Sequence, residues 1–265
     1  MTSPYRCLTA LPVYNEAKHL EAVLSEVVRH ADDVLVVDDG STDGSSELLA
    51  ARDDILLLRH EENRGYGAAL RTAFDYAVEQ GYDVLVTIDC DGQHEPQLIR
   101  ELAAKVFPPP GSPSSSNDAD PYDIVSGSRY LAVDEASAGA APADRRKINQ
   151  TITAELNKRL GFSLTDAFCG FKAYRVEALA GLRLTERGYA MPLELWVQAA
   201  CRGLRVCEAA VPLVYLDEKR SFGGALDEAE QRLAYYRSVI ARALAATRRS
   251  AEDCRAAYAA AADTL

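Results

Sequence analysis

The sequence predicts an α/β fold with a mostly parallel central sheet and helices on both faces. Three observations predict it. Short apolar runs rich in β-branched residues alternate with longer stretches whose apolar residues recur at i, i+3 and i+4. The strand-like runs are continuous rather than alternating, as when helices cover both faces of a parallel sheet. Several of these runs end in clusters of Asp, Asn, Ser and Gly, where open α/β sheets bind ligands.

The elements follow in order. Leu8-Thr9-Ala10-Leu11-Pro12-Val13 reads as the first strand, and Leu20, Val23, Leu24, Val27 and Val28 then fall at helical spacing. Val34-Leu35-Val36-Val37 is the second strand; it ends in Asp38-Asp39-Gly40-Ser41, and Ser45 stands where it can cap the next helix. Ile55-Leu56-Leu57-Leu58 is the third strand, followed by a helix over 67–80. Val84-Leu85-Val86-Thr87-Ile88 is the fourth, and Pro96 opens another helix near its first turn. The Pro/Ser-rich segment over about 108–121 builds no core and reads as a flexible surface insertion. Ile124-Val125-Ser126-Gly127 then resumes as a strand. A helix over 145–160 is stopped by Gly161, and a strand near 171–174, a helix over 192–200 and a strand over 206–214 follow. The last long segment, 226–249, is an amphipathic helix, and the alanine-rich remainder is expected to fray. This divides the chain into a main domain over 1–224 and a C-terminal helix and tail over 225–265.

With 265 residues, 48% of them hydrophobic and 26% charged, the chain can bury one large core and has a soluble globular composition. A net charge of -11 excludes a general nucleic-acid binder, because nothing offsets phosphate repulsion over most of the surface; a local basic pocket remains open. No apolar run approaches the roughly 20 residues that cross a bilayer, and the first residues lack the basic and apolar regions of a signal peptide. The six cysteines show no CxxC spacing. Reduced buried thiols and a cytoplasmic protein are therefore expected.

Asp89-Cys90-Asp91-Gly92-Gln93-His94, directly after the fourth strand, is the most informative stretch. Beyond the last ladder bond the backbone can turn, so carboxylates at i and i+2 can converge on one cation. Oxygen donors suit a hard ion such as Mg²⁺ or Mn²⁺, which also takes phosphate oxygens. A solvated turn is the plainer reading of such a pair. Cys90 reads as a small packing residue or a reactive thiol, and His94 as a ligand, a base or a solvent-facing loop histidine.

Other strand ends carry polar signatures in a fixed order: Leu11-Pro12-Val13-Tyr14-Asn15-Glu16, Val37-Asp38-Asp39-Gly40-Ser41-Thr42-Asp43-Gly44, Asn63-Arg64-Gly65-Tyr66-Gly67, Ser126-Gly127-Ser128-Arg129 and Asp166-Ala167-Phe168-Cys169-Gly170-Phe171-Lys172. With the acidic stretch, this series resembles family-two inverting glycosyltransferases of the GT-A fold, most of all the polyprenyl-phosphate (dolichyl-phosphate) mannosyl- and glucosyltransferase branch. The resemblance spans 8–224 and makes the domain over 1–224 a catalytic one, of the GT-A nucleotide-diphospho-sugar transferase type.

The resemblance implies a nucleotide-sugar donor, a GDP- or UDP-hexose. It places Pro12, Tyr14, Glu16, Val37, Asp39, Gly65, Asp89, Cys90 and Arg220 at the donor nucleotide. Glu16 can accept ribose or base hydrogens, and Asp39 can accept N–H groups of uracil or guanine; helix capping and turn formation are the alternatives for both. The glycines around Tyr66 would let backbone approach the donor. Asp89, Asp91 and Gln93 are implied as ligands of Mg²⁺ or Mn²⁺, which would stabilise charge on the departing nucleotide, with Asp91 among the catalytic residues. Arg220, in the loop Lys219-Arg220-Ser221-Phe222-Gly223-Gly224, is implied to close over the diphosphate.

The acceptor implied is a polyprenyl phosphate. A lipid monophosphate, with a second pKa near about 6, is already an oxyanion at neutral pH and needs cationic positioning rather than a base. Arg129, Arg145 and Arg146 are the expected acceptor-phosphate ligands, Arg129 also counting as catalytic. Asp166 is expected beside the donor sugar, binding hydroxyls or acting as base if the acceptor is an alcohol, with Glu194 an alternative base. A hydroxyl-acceptor transferase and a non-catalytic nucleotide-sugar-binding subunit are the competing readings. Relatives with this resemblance often carry C-terminal transmembrane helices. Here a lipid acceptor implies peripheral contact with the inner membrane face or with a membrane subunit. The 226–249 helix would then lie on a membrane or, alternatively, pack on the main domain or a second subunit.

Overall fold

The computed structural model describes residues 5–107, 121–131, 143–214 and 228–262. Among them, β1 (Cys7–Val13), β2 (Asp33–Asp38), β3 (Leu56–Arg59), β4 (Val84–Thr87), β5 (Ile124–Ser128), β6 (Lys172–Arg175) and β7 (Val206–Ala210) form one sheet. Its order is β3-β2-β1-β4-β6-β5-β7. All neighbours pair parallel except β6, which runs antiparallel to both β4 and β5. The helices are α1 (Ala17–His30), α2 (Ser45–Ala50), α3 (Tyr66–Glu79), α4 (Ile99–Val106), α5 (Ala143–Leu160), α6 (Val176–Leu179), α7 (Met191–Cys201) and α8 (Ala229–Ala262). The mostly parallel, helix-covered sheet expected from the sequence is what forms.

Because successive side chains of a strand point to opposite faces, each central strand feeds two cores. Leu8, Leu35 and Leu85 join the core under α3, α5, α7 and α8. Leu11, Val36 and Val86 join the core under α1, α2 and α4. Leu20, Leu24 and Val27 give α1 its buried stripe, spaced as a helix packed on one side requires. In α7 every residue from Met191 to Val197 is buried, because it lies between the sheet-side core and α8.

Four local expectations are corrected. The strand expected over 206–214 stops at Ala210, since Pro212 has no N–H to continue a ladder. The alanine-rich tail expected to fray continues α8 to Ala262; no Gly or Pro interrupts it, and alanine has the highest helix propensity. Ser45 is not the cap of α2. Gly44, at φ 99°, holds that position, and the Asp43 carboxylate accepts the Ser45 N–H at 3.0 Å and the Ala17 N–H at 3.1 Å. Pro96 opens a short 3-10 turn, Pro96–Leu98, before α4 begins.

The topology sets the position of the site. From β1 the chain moves outward to β2 and β3, then returns to β4 on the other side of β1. The carboxyl ends of β1 and β4 therefore flank a topological switch point, where open α/β sheets leave a crevice. The antiparallel β6 brings its amino end to the same edge, with Lys172 opposite Thr87, and β5 delivers Arg129 there as well. Among the described residues no helix is long and apolar enough to cross a membrane.

Candidate active site

A cleft of about 420 Å³ opens at this edge. Its acidic lining comes from the carboxyl ends of β1, β2 and β4 and the loops after them. The first contributes Pro12, Tyr14 and Glu16, the second Asp39, and the third Asp89, Cys90, Asp91 and Gln93. Gly65, at the start of α3, also lines it. Glu16 stands at the amino end of α1 without a side-chain cap bond, so the capping alternative is not what its carboxylate does. Cys90 is 2% exposed and packs under the cleft with the core that includes Val86 and Ile88.

Val37 does not reach the cleft: it is wholly buried, in the core beside Leu35. Asp39 lines the cleft but is largely committed. Its carboxylate accepts the N–H groups of Arg64 at 2.9 Å and Gly65 at 2.7 Å, and lies 2.6 Å from His60 Nδ1. The space around the glycines of α3 is also taken by the chain itself. Arg187 O accepts the Gly67 N–H at 2.7 Å and the Ala68 N–H at 3.3 Å, and a Cβ at Gly65 or Gly67 would collide with the backbone of 186–187. The chain's own 186–190 loop packs on these glycines and carries Tyr189 into the cleft, which Gly65 also lines.

Asp89 is held on several sides. Tyr66 donates its hydroxyl to Asp89 Oδ1 at 3.0 Å. Burial and the Asp89 charge keep that phenol well above its ordinary value, so it stays a donor. His94 is not solvent-facing: its side chain is 4% exposed, its ring packs 5.4 Å from Phe171, and Nε2 lies 3.5 Å from Asp89 Oδ2. Asp91 Oδ1 accepts the Gln93 N–H at 3.0 Å, fixing the turn. Below them Lys172, 2% exposed, donates to Cys169 O. Burial lowers its pKa, while Cys169, Asp166 and Asp89 act in the opposite direction.

The same cleft also has a basic lining. Arg129, Arg145 and Arg232 form it with Tyr130, Phe168 and Tyr236. Arg129 donates Nε to Asp166 Oδ2 at 2.7 Å and Nη2 to Oδ1 at 3.0 Å, and Asn149 Nδ2 adds a third bond at 2.9 Å. Asp166 is wholly buried. Burial alone would raise its carboxyl, but Arg129, Asn149 and Lys172 bring it down to about 2. In this geometry the Asp166 carboxylate, expected beside the donor sugar, is enclosed and anchors Arg129. Glu194 is likewise turned inward, accepting the N–H groups of Thr185 and Glu186 at 2.7 Å each. Arg146 does not line the cleft; its guanidinium lies 5.9 Å from the Tyr130 ring. Arg220 and Lys219 lie outside the described residues, as does the Pro/Ser insertion up to residue 120.

Sequence reasoning assigned no role to Tyr66, Tyr189, Arg232 or Tyr236. Tyr66 stood inside a quoted motif, between two glycines. Tyr236 stood on the apolar face of the amphipathic 226–249 helix, with Arg232 one turn before it.

Carboxylates and guanidiniums thus line one cleft at the switch point of a mostly parallel sheet. The family model described as "Glycosyl transferase family 2" matches residues 9–183. An undecaprenyl-phosphate mannosyltransferase of Micrococcus luteus is 32% identical over 84% of this chain and 90% of its own length. A polyprenol monophosphomannose synthase of Mycolicibacterium smegmatis is 31% identical over 81% of this chain and 78% of its own. The chain belongs to glycosyl transferase family 2 and is a glycosyltransferase. Among solved structures, glucosyl-3-phosphoglycerate synthase from Mycobacterium tuberculosis in complex with phosphoglyceric acid aligns with a TM-score of 0.64 at 17% identity, over 91% of this chain and 81% of that one; this likeness concerns the fold.

Proposed function

We propose that the chain transfers a hexose, with inversion, from a nucleotide sugar of the GDP-mannose or UDP-glucose type to a polyprenyl phosphate. The observation that carries this reading is the charge of the cleft lining, with acidic residues from the ends of β1, β2 and β4 and the guanidiniums of Arg129, Arg145 and Arg232 in one cleft. The names of the two relatives, both polyprenyl-phosphate or polyprenol-phosphate mannose enzymes, support the acceptor class. A lipid acceptor further implies peripheral contact with the cytoplasmic membrane face or with a membrane subunit.

Asp89 and Asp91 fit a hard divalent ion, Mg²⁺ or Mn²⁺: both carboxylates line the same cleft and offer oxygen donors. Gln93 lines the same cleft and would be a further ligand, with oxygens of the donor completing the set. When bound, the ion supplies charge neutralisation for the leaving diphosphate. The remaining work falls to the chain. Tyr66 and His94 hold Asp89 in place, and Pro12, Tyr14, Glu16 and Asp39 contact the nucleoside. The basic lining positions an acceptor phosphate oxygen for attack on the anomeric carbon from the face opposite the nucleotide. That oxygen forms the new bond while the bond to the diphosphate breaks, giving a β-linked glycosyl phospholipid and a nucleoside diphosphate. The acceptor arrives ionised, so no proton need be removed.

Against the hydroxyl-acceptor reading, its two named bases, Asp166 and Glu194, are buried and already accept hydrogen bonds from the chain. The test is an assay of GDP-mannose and UDP-glucose against farnesyl phosphate and farnesol, with Mg²⁺, with Mn²⁺ and with a chelator. Product with the phosphate alone, lost on chelation, is expected. Product with farnesol alone would overturn the acceptor assignment, and unchanged turnover under chelation would remove the metal.

A further inference from the structure

We propose that His60 is a positioning residue for the donor's base: with Thr72 behind it, the imidazole fixes the Asp39 carboxylate so that one acceptor position is left for a single ring N–H of the nucleobase. The proposal rests on the nucleotide-sugar reading above and extends it to two residues that none of the polar strand-end signatures includes.

An ionised carboxylate has about four acceptor positions. Among the described residues, three of those on Asp39 are filled by the chain. Oδ1 accepts the Arg64 N–H at 2.9 Å and faces His60 Nδ1 at 2.6 Å, while Oδ2 accepts the Gly65 N–H at 2.7 Å. The fourth, on Oδ2, is the one a ligand can take. Asp39 is only 3% exposed, yet it lines the cleft.

His60 is itself enclosed, at 6% exposed. Its backbone N–H donates to Asp38 O at 2.9 Å, carrying the β2–β3 ladder one residue beyond Arg59. Its Nε2 lies 2.9 Å from Thr72 Oγ1 on α3. The ring therefore bridges carboxylate and helix, and turning it breaks a hydrogen bond on each side. Nδ1 faces an oxygen that offers only lone pairs, so Nδ1 carries the hydrogen. Without that N–H, Oδ1 keeps only the Arg64 N–H, and the carboxylate can turn about its soft terminal torsion. A carboxylate already oriented needs no ordering when a base arrives. Uracil N3–H and guanine N1–H each supply one ring N–H of this kind. Adenine and cytosine present a lone pair at the corresponding ring nitrogen, which the carboxylate repels.

The experiment is titration calorimetry on the full chain with Mn²⁺, using UDP, GDP and their N3-methyl and N1-methyl derivatives. For whichever nucleotide wild-type protein binds, methylation should weaken binding about tenfold or more, the loss typical of a hydrogen bond to a charged group. His60→Leu is expected to weaken the unmodified nucleotide about tenfold and to shrink the methylation penalty at least about threefold, since the two changes remove one interaction. His60→Asn, whose amide N–H can stand where Nδ1–H does, should recover most of both. A penalty that is absent in wild type, or equal in wild type and His60→Leu, would overturn the proposal; equal losses for both nucleotides are what a merely structural histidine gives. Should His60→Leu fail to fold, Thr72→Val decides, because it removes only the bond behind the ring. At wild-type melting temperature it should reduce the penalty, and an unchanged penalty overturns the proposal. If wild-type protein bound neither UDP nor GDP, the nucleotide-sugar reading itself would fall. If it bound one of them and the penalty ignored His60, only the role of His60 would.

Discussion

Asp89 sits against Gly170, Tyr66 and His94, and the glycine is the least forgiving of the three. A Cβ at Gly170 would collide with all three terminal atoms of the Asp89 carboxyl group. The backbone there is also tied, since Thr87 Oγ1 donates to Gly170 O at 2.7 Å. Gly170→Ala is therefore expected to turn Asp89 away from the cleft. Donor-nucleotide affinity in the presence of Mn²⁺ should fall about tenfold or more, the cost of misplacing a charged contact, while the melting temperature stays near that of the wild type. Titration calorimetry against GDP and UDP measures it, and unaltered affinity for both would dissociate Asp89 from the donor. The Asp-x-Asp pair and the Asp-x-x-Cys-Gly run were each legible as polar strand ends. Their contact was not, because it depends on β6 running antiparallel beside β4, a pairing that neither segment encodes locally.

At the scale of elements, the start of α3 and the 186–190 loop act as one piece. Gly67 donates to Arg187 O, and a Cβ at Gly67 would meet Glu186 O and the Met191 side chain. The loop is also tied from behind: Glu194 accepts the Glu186 N–H, and Tyr235 of α8 donates to Glu186 Oε1 at 2.5 Å. The Tyr189 ring stacks 5.6 Å from that of Tyr66, the residue that holds Asp89. Gly67→Ala is expected to push this loop out, destabilising the protein by about 1–3 kcal/mol, as overpacking does. It should also lower turnover, because Tyr66 and Tyr189 lose their stacking. Urea unfolding and steady-state kinetics on the same preparation check both; a stable and fully active variant would show the loop to be independent of the helix. The helical period of α1 was readable from apolar spacing alone. The loop that seals α3 was not, since a glycine next to a helix start carries the same local signature whether ligand or backbone approaches it.

Across the whole molecule, the Arg129–Asp166 pair is a buried ionic junction linking β5, the segment before β6 and α5. The Asp166 carboxyl stands at about 2 against an ordinary 3.8. Its folded value is depressed, so its contribution to stability, about 2 kcal/mol, is present in full above pH 3.8 and is lost as pH falls through about 2. Asp166→Asn leaves the enclosed Arg129 without its counter-charge and should cost about 3–5 kcal/mol at neutral pH. The difference in unfolding free energy between wild type and variant should shrink as urea titrations move from pH 4 toward pH 2. A constant difference would show that the carboxyl does not titrate as described. By itself, the sequence determined the α/β class, the order of the central elements and the polar strand ends that gather at one edge. These follow from hydrophobic period and turn chemistry, which are local. Tertiary structure alone decided that Asp166 is buried against Arg129, that Val37 is core, that the glycines of α3 receive the chain's own backbone, and that α8 supplies Arg232 to the cleft. Each of these depends on which groups are removed from water together, and burial is set by how distant segments pack.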